Sequence, residues 1–206
     1  MGDTHEQVIP ADTRWLHDED AQQVCRVVQD GGYRIYFVGG CVRDALLGLP
    51  DSDVDLSTDA PPETVMALAK AAWVKAVPTG IDHGTVTLVA GGKPFEITTF
   101  RRDVETDGRR AVVAFSTDIA EDARRRDFTM NALYATPDGQ VLDPLGGLPD
   151  LHARRLRFIE NAEQRIREDY LRTLRYFRFM AWYGSPQVGP EPDALDAIAS
   201  NLDGLE

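Results

Sequence analysis

Asp53 and Asp55 are separated by one residue in the run DSDVDLST, where polar and apolar residues alternate as they do along a strand. Successive side chains of a strand point to opposite faces, so the two carboxylates share one face while Val54 and Leu56 share the other. Left alone, neighbouring carboxylates repel and one takes up a proton; beside a hard divalent cation both stay ionised. Magnesium suits such a pair, because it takes a few carboxylates and leaves the rest of its octahedron to water and substrate phosphate. A bare DxD is a weak signal, since acidic residues near a strand end are commonly just solvated.

The surrounding residues add to it. Gly39-Gly40 lets a backbone approach an anion closely, and a helix opening near Cys41 offers unpaired N–H groups and the positive end of its dipole to a phosphate. Arg43 adds a fixed charge there, although a glycine turn joining strand to helix is the plain alternative. Glu96 in FEITTF alternates with Phe95 and Ile97, so it points away from the face they bury and is a candidate third carboxylate or an exposed strand residue. Arg124, Arg125 and Arg126 cannot all face one way, so at most two reach a site. In REDYLRTLRYFRF, Asp169, Arg172, Arg175 and Arg178 recur every three residues beside an expected buried ridge of Leu171, Leu174 and Phe177.

These residues need elements to hold them. Val24, Val27 and Val28 at helical spacing, ending at Gly31-Gly32, predict a helix over 18–30. A buried strand in YRIYFVGG, a short helix in CVRDALLGL, a strand in DSDVDLST and a helix after Thr58-Asp59 in PPETVMALAKAA follow. GTVTLVAGGKPFEITTF reads as a hairpin about Gly91-Gly92, and RRDVETDGRRAVVAF as a charged loop. A capped helix beginning at Ser116-Thr117-Asp118 is expected to run through Phe128, Met130, Ala132 and Leu133, followed by turns and a short strand pair. One continuous helix is expected from Asn161 to Trp182, then a Pro/Gly break and a last helix. Interleaved helices and strands followed by helices alone predict an α+β fold, with a mixed sheet flanked by helices over 1–150 and an all-helical piece over 151–206.

Composition narrows the function. The chain has 206 residues, 43% of them apolar, enough for a packed core. Its 34 acidic against 22 basic residues, a net charge of −12, argue against a surface that grips a polyanion everywhere. Cys25 and Cys41 show neither zinc nor disulfide spacing, which points to a reducing cytoplasm. No stretch reaches eighteen apolar residues, and the polar start MGDTHEQVIP has neither a signal h-region nor a myristoylation pattern, so a soluble, unanchored chain is expected, with no membrane and no protein partner implied.

Taken in order, FVGGCVRDALLG, DSDVDLST, FEITTFRRD with TDGRR, RRRDFTMNALY, DPLGGLPDL and REDYLRTLRYFRF resemble the class II tRNA nucleotidyltransferase and bacterial poly(A) polymerase family, from about Phe37 to Phe179. The resemblance implies a nucleotidyltransferase-fold head and a helical neck. It implies transfer of CMP and AMP from CTP and ATP to a tRNA 3′ end (CCA addition), with release of pyrophosphate. Asp53 and Asp55 would hold two Mg²⁺ ions; Glu96, on strand alternation alone, stays a candidate third catalytic carboxylate. Gly40, Arg43 and Arg126 would meet the nucleotide's sugar and phosphates, beside Gly39, the nucleotide-binding candidate that the glycine turn itself supplies. Asp169 and Arg172 would read the base edge, with Arg175 and Arg178 completing the pocket. RRDVETDGRR, 101–110, matches a family loop associated with switching from C to A addition. The resemblance also implies helical body and tail regions beyond Glu206, on which tight tRNA binding would depend. A poly(A) polymerase, a CC-only or A-only enzyme, and a non-catalytic nucleotide- or RNA-binding module are the alternatives.

Overall fold

The computed structural model describes residues 7–107 and 110–205. Helix α1 (Glu19–Asp30) starts where Asp18 accepts hydrogen bonds from the N–H groups of Asp20 and Ala21, and buries Val24, Cys25 and Val28 along one face. Strand β1 (Ile35–Val38) leads through Gly39 into α2 (Gly40–Leu46). Next come β2 (Asp55–Thr58), α3 (Pro62–Ala71), β3 (Lys75–Gly80), β4 (Thr85–Ala90) and β5 (Lys93–Thr99). Strands β6 (Arg101–Asp107) and β7 (Arg110–Phe115), helix α4 (Ile119–Arg124), strands β8 (Tyr134–Ala135) and β9 (Val141–Leu142) and helix α5 (Leu148–His152) follow. Three helices end the chain: α6 (Ala162–Glu168), α7 (Leu171–Tyr183) and α8 (Pro192–Ala199).

Seven strands form one mixed sheet in the order β3-β4-β5-β2-β1-β8-β9, so the expected α+β class holds. Among the described residues only the β2–β5 pair is parallel; it aligns Asp55 with Glu96. Phe37, Leu56, Val86, Leu88 and Ile97 fill the sheet's apolar layer under α1 and α3, and Trp15 packs on Phe37 with ring centroids 4.4 Å apart. Each such side chain, fully buried, contributes about 1.5–3 kcal/mol. The same core continues through Phe128 and Phe158 to Tyr176, Phe179 and Tyr183 of α7, which seats that helix on the sheet domain.

Several expectations are corrected. The run 101–115 is a two-stranded hairpin, β6 with β7, not a loop; position 108 and its neighbour 109 lie outside the described residues. β3 was not foreseen: it is an edge strand carrying Pro78 and an irregularity between Val77 and Gly80, which breaks the alternation that would reveal it. The helix opening at 119 ends at Arg124 instead of running to Leu133. Phe128 is extended and bridges Phe158, and the backbone groups of Asp127 and Thr129 bond to the 157–159 segment. The single helix from Asn161 to Trp182 is two helices. Asp169 is extended at φ −157°, and its N–H donates to Ile166, leaving the Arg165 carbonyl to accept from Arg172 Nη1 at 3.0 Å. The ridge expected to be buried is open: Leu171, Leu174 and Phe177 are 50% exposed or more. No helix among the described residues is long and apolar enough to cross a membrane.

Candidate nucleotide-binding cleft

Between the sheet domain and α7 lies a cleft of about 680 Å³. One wall is the turn after β1, Gly39 and Gly40, with Arg43 of α2 and the segment Ser52, Asp53, Asp55 entering β2. The stretch after α4 supplies Arg126, Asp127 and Asn131, and the α6–α7 joint supplies Asp169, Arg172, Arg175, Arg178 and Phe179. Ten of the eleven candidate residues therefore share one space. Glu96 is the eleventh; it stands beside Asp55 on β5 and is exposed, but it does not line the cleft.

Asp53 lies just before β2 and not within it, yet the expected alternation persists: Asp53 and Asp55 are exposed while Val54 is half-buried and Leu56 buried. Neither carboxylate makes an ion pair among the described residues. Asp55's carboxyl is held above its usual range, first by lost hydration within the cleft and then by Glu96; Arg126 opposes this and Asp53 adds to it. Gly39 has φ 73°, a conformation that favours glycine, and its N–H is tied to the Leu133 carbonyl. A Cβ at Gly40 would stand 3.3 Å from Ser52 Oγ, so the bare glycine keeps the wall open.

The arginines differ in what they have left to offer. Arg43 is buried and its Nε and Nη2 donate to both oxygens of Asp44 at 2.8 and 3.0 Å, its Nη1 to Asn131 at 2.7 Å, and its Nη2 also to the Tyr183 hydroxyl at 2.7 Å. Arg126 donates to Asp122 and to the Tyr134 hydroxyl, each at 3.2 Å. Burial would lower its pKa, but Tyr134 and Asp122 outweigh that and raise it, so the cation is fixed. Asp122 is itself fully buried. Its burial is outweighed by Arg126 and Arg125, which hold its carboxyl below the usual range. Arg172 pairs with Glu168 at 2.8 Å and Arg175 with Asp127 at 2.6 Å. Arg178 is exposed and makes no ion pair among the described residues; its guanidinium carbon lies 5.7 Å from the Phe179 ring centroid. Asp169 accepts from the Leu171 N–H at 3.0 Å and is otherwise uncommitted there. Among the described residues, Asp53, Asp55 and Asp169 are thus the cleft acids without an ion pair, and Arg178 the cleft arginine without one.

Sequence reasoning missed Ser52, Asp127, Asn131 and Phe179 as cleft residues, although all four lie inside the quoted stretches. Asp127 and Asn131 are four apart and hydrogen-bonded at 3.0 Å, a spacing that could have marked them. Cys25 and Cys41 are buried free thiols whose pKa burial pushes up to about 12, which leaves them inert.

Residues 35–157 match the model of the poly A polymerase head domain. The chain belongs to this family. Among curated relatives it is 42% identical over 183 residues to CCA tRNA nucleotidyltransferase 1, mitochondrial, of Danio rerio, covering 88% of this chain and 42% of that protein. It is 44% identical over 185 residues to the CCA-adding enzyme of Leuconostoc citreum, covering 89% and 45%. The fold is shared with the crystal structure of the Bacillus stearothermophilus CCA-adding enzyme in complex with CTP, at a TM-score of 0.79 and 40% identity over 91% of this chain and 44% of that one. A tRNA nucleotidyltransferase complexed with a primer tRNA and an incoming ATP analog gives 0.68 at 29% identity, over 88% and 51%. The chain spans less than half the length of both curated relatives.

Proposed function

We propose that this chain is the head and neck of a metal-dependent, template-independent RNA nucleotidyltransferase that adds CMP and AMP from CTP and ATP to a tRNA 3′ end. Residues 1–150 form the head and 151–206 the neck. The observation that carries this reading is the placement of Asp53 and Asp55 in one cleft with Asp169 and Arg172, more than a hundred residues later in sequence.

The donor set fits a hard cation. Two carboxylates without ion-pair partners, one of them already resisting ionisation, gain most from a divalent ion, although no cluster of three or more metal-binding side chains exists among the described residues. Asp53 and Asp55 would hold two Mg²⁺ ions, with Glu96 supporting Asp55. Ions held there would supply Lewis acidity that makes the attacking RNA hydroxyl more acidic and offsets charge on the leaving pyrophosphate. The rest falls to the protein. Gly39 and Gly40 let the triphosphate approach the backbone, while Arg126, held rigid by Asp122, and the exposed Arg178 face its charge. Ser52 Oγ is buried with no hydrogen-bond partner among the described residues, a polar group that a bound ligand can satisfy. Asp169 accepts from an exocyclic amino group and Arg172 donates to a ring nitrogen or carbonyl, which admits C and A and disfavours U and G. Arg175 sets the orientation of α7 through Asp127. The hairpin at 101–115 contains the segment we assign to switching between C and A, and buried thiols suit the cytoplasm.

The test is incorporation of labelled nucleotides into tRNA lacking CCA. CMP followed by AMP, with little UMP or GMP, is the expected product. AMP alone on unrelated RNA ends makes the protein a poly(A) polymerase, and CMP or AMP alone on tRNA makes it a partial adding enzyme.

A further inference from the structure

Tyr183, the last residue of α7, lies 140 positions from Arg43, yet its hydroxyl accepts from Arg43 Nη2 at 2.7 Å and its ring lies 4.0 Å from the guanidinium. Phe179, one turn earlier, adds a second ring at 5.2 Å from the same carbon and packs on Tyr183 at 5.2 Å. Arg43 is 6% exposed. Of its five N–H groups, Asp44 takes two, Asn131 one and Tyr183 one, so among the described residues a single Nη1 hydrogen remains uncommitted. Asp44 neutralises the charge and Asn131 fixes one nitrogen, but both sit on the head's side of the cleft. Tyr183 alone among these hydrogen-bond partners belongs to α7. The guanidinium it holds is the one beside Gly40, where a Cβ would approach Nη2 to 3.7 Å.

We infer that Tyr183 is a positioning residue for nucleotide binding: by stacking on Arg43 and accepting its Nη2 hydrogen bond, it couples the glycine turn of the head to the arginine-bearing helix of the neck. This rests on the reading of the cleft as a nucleotide site. Burial first, and then Asp44, raise the Tyr183 pKa against the pull of Arg43 and Arg178, so the hydroxyl stays protonated through the neutral range. A group that positions a ground-state contact changes KM more than kcat.

The test is a thermodynamic cycle on the 206-residue chain, measuring the dissociation constant for CTP with Mg²⁺. Tyr183→Phe keeps the ring and removes the acceptor, leaving a buried N–H unpaired. It is expected to weaken CTP about tenfold, with the melting temperature lowered by several degrees and the cooperative unfolding transition retained. Tyr183→Leu, lacking ring and hydroxyl, is expected to weaken it further. In an Arg43→Lys background, Tyr183→Phe is expected to add no further loss. CTP binding by Tyr183→Phe equal to wild type overturns the inference, as does an equal loss in both backgrounds, because either result separates Tyr183 from Arg43. No binding by the wild-type chain overturns the functional reading and the inference with it.

Discussion

Asp55 carries the clearest residue-scale consequence. Its folded pKa is raised, so its contribution to stability is full below the unfolded value near 3.9 and is lost as pH rises through the folded value. Without metal, Asp55→Asn is therefore expected to raise the melting temperature at pH 7 and to leave it unchanged near pH 3. Mg²⁺ should stabilise the wild type at pH 7 more than at pH 4, and scans across that range check both. Asp122 behaves in the opposite sense: its lowered pKa stabilises above the unfolded value, and the contribution is lost as pH falls through the folded one. Because it is fully buried under Arg125 and Arg126, Asp122→Asn is expected to cost about 3 kcal/mol in urea unfolding. At this scale the sequence was readable where the pattern is local. Asp53 and Asp55 announce themselves by alternation, but the partners of Arg43, Asn131 and Tyr183, come from 88 and 140 residues away, and no local pattern encodes them.

The joint between α6 and α7 is the element that most changes the site. A continuous helix would place Asp169 in line with Arg172, Arg175 and Arg178; the break instead frees its carboxylate while Glu168 takes Arg172 and Arg165. No Gly or Pro marks the break. It arises from tertiary groups, Arg172 donating to carbonyls of Arg165 and Arg125, which helix periodicity does not report. Asp169→Ala is expected to cost only about 1 kcal/mol as a lost cap, while discrimination between CTP and UTP falls by roughly tenfold or more; competing incorporation measures the second and urea unfolding the first. The end of α3 offers a contrasting test. Trp73 has φ 57° and is 97% exposed, so it pays left-handed strain with almost no burial in return. Trp73→Gly is expected to be neutral or to stabilise by up to about 1 kcal/mol, as read by urea unfolding. The β6–β7 hairpin escaped the sequence reading for a related reason: a charged run resembles a loop until a second strand takes its backbone hydrogen bonds.

On the scale of the whole molecule, one apolar core runs from the sheet through Phe128 and Phe158 into α7, so the metal-binding candidates and the base-reading candidates are held in a common frame. Each of the six stretches that signalled the family contributes to that core, through Phe37, Leu56, Phe95, Phe128, Leu151 and Tyr176, which is why the overall architecture was legible when the element boundaries were not. A net charge of −12 leaves the arginine-lined cleft as a local attraction within an acidic molecule. Nucleotide chemistry should then depend on the cleft's own residues and not on a general affinity for polyanions. The decisive measurement is the rate of CMP and AMP transfer to tRNA lacking CCA by the wild-type chain and by Asp53→Ala and Asp55→Ala. Wild-type transfer that falls by about a thousandfold or more in each variant, with melting temperatures retained, is the predicted result; transfer undiminished in either variant would contradict it.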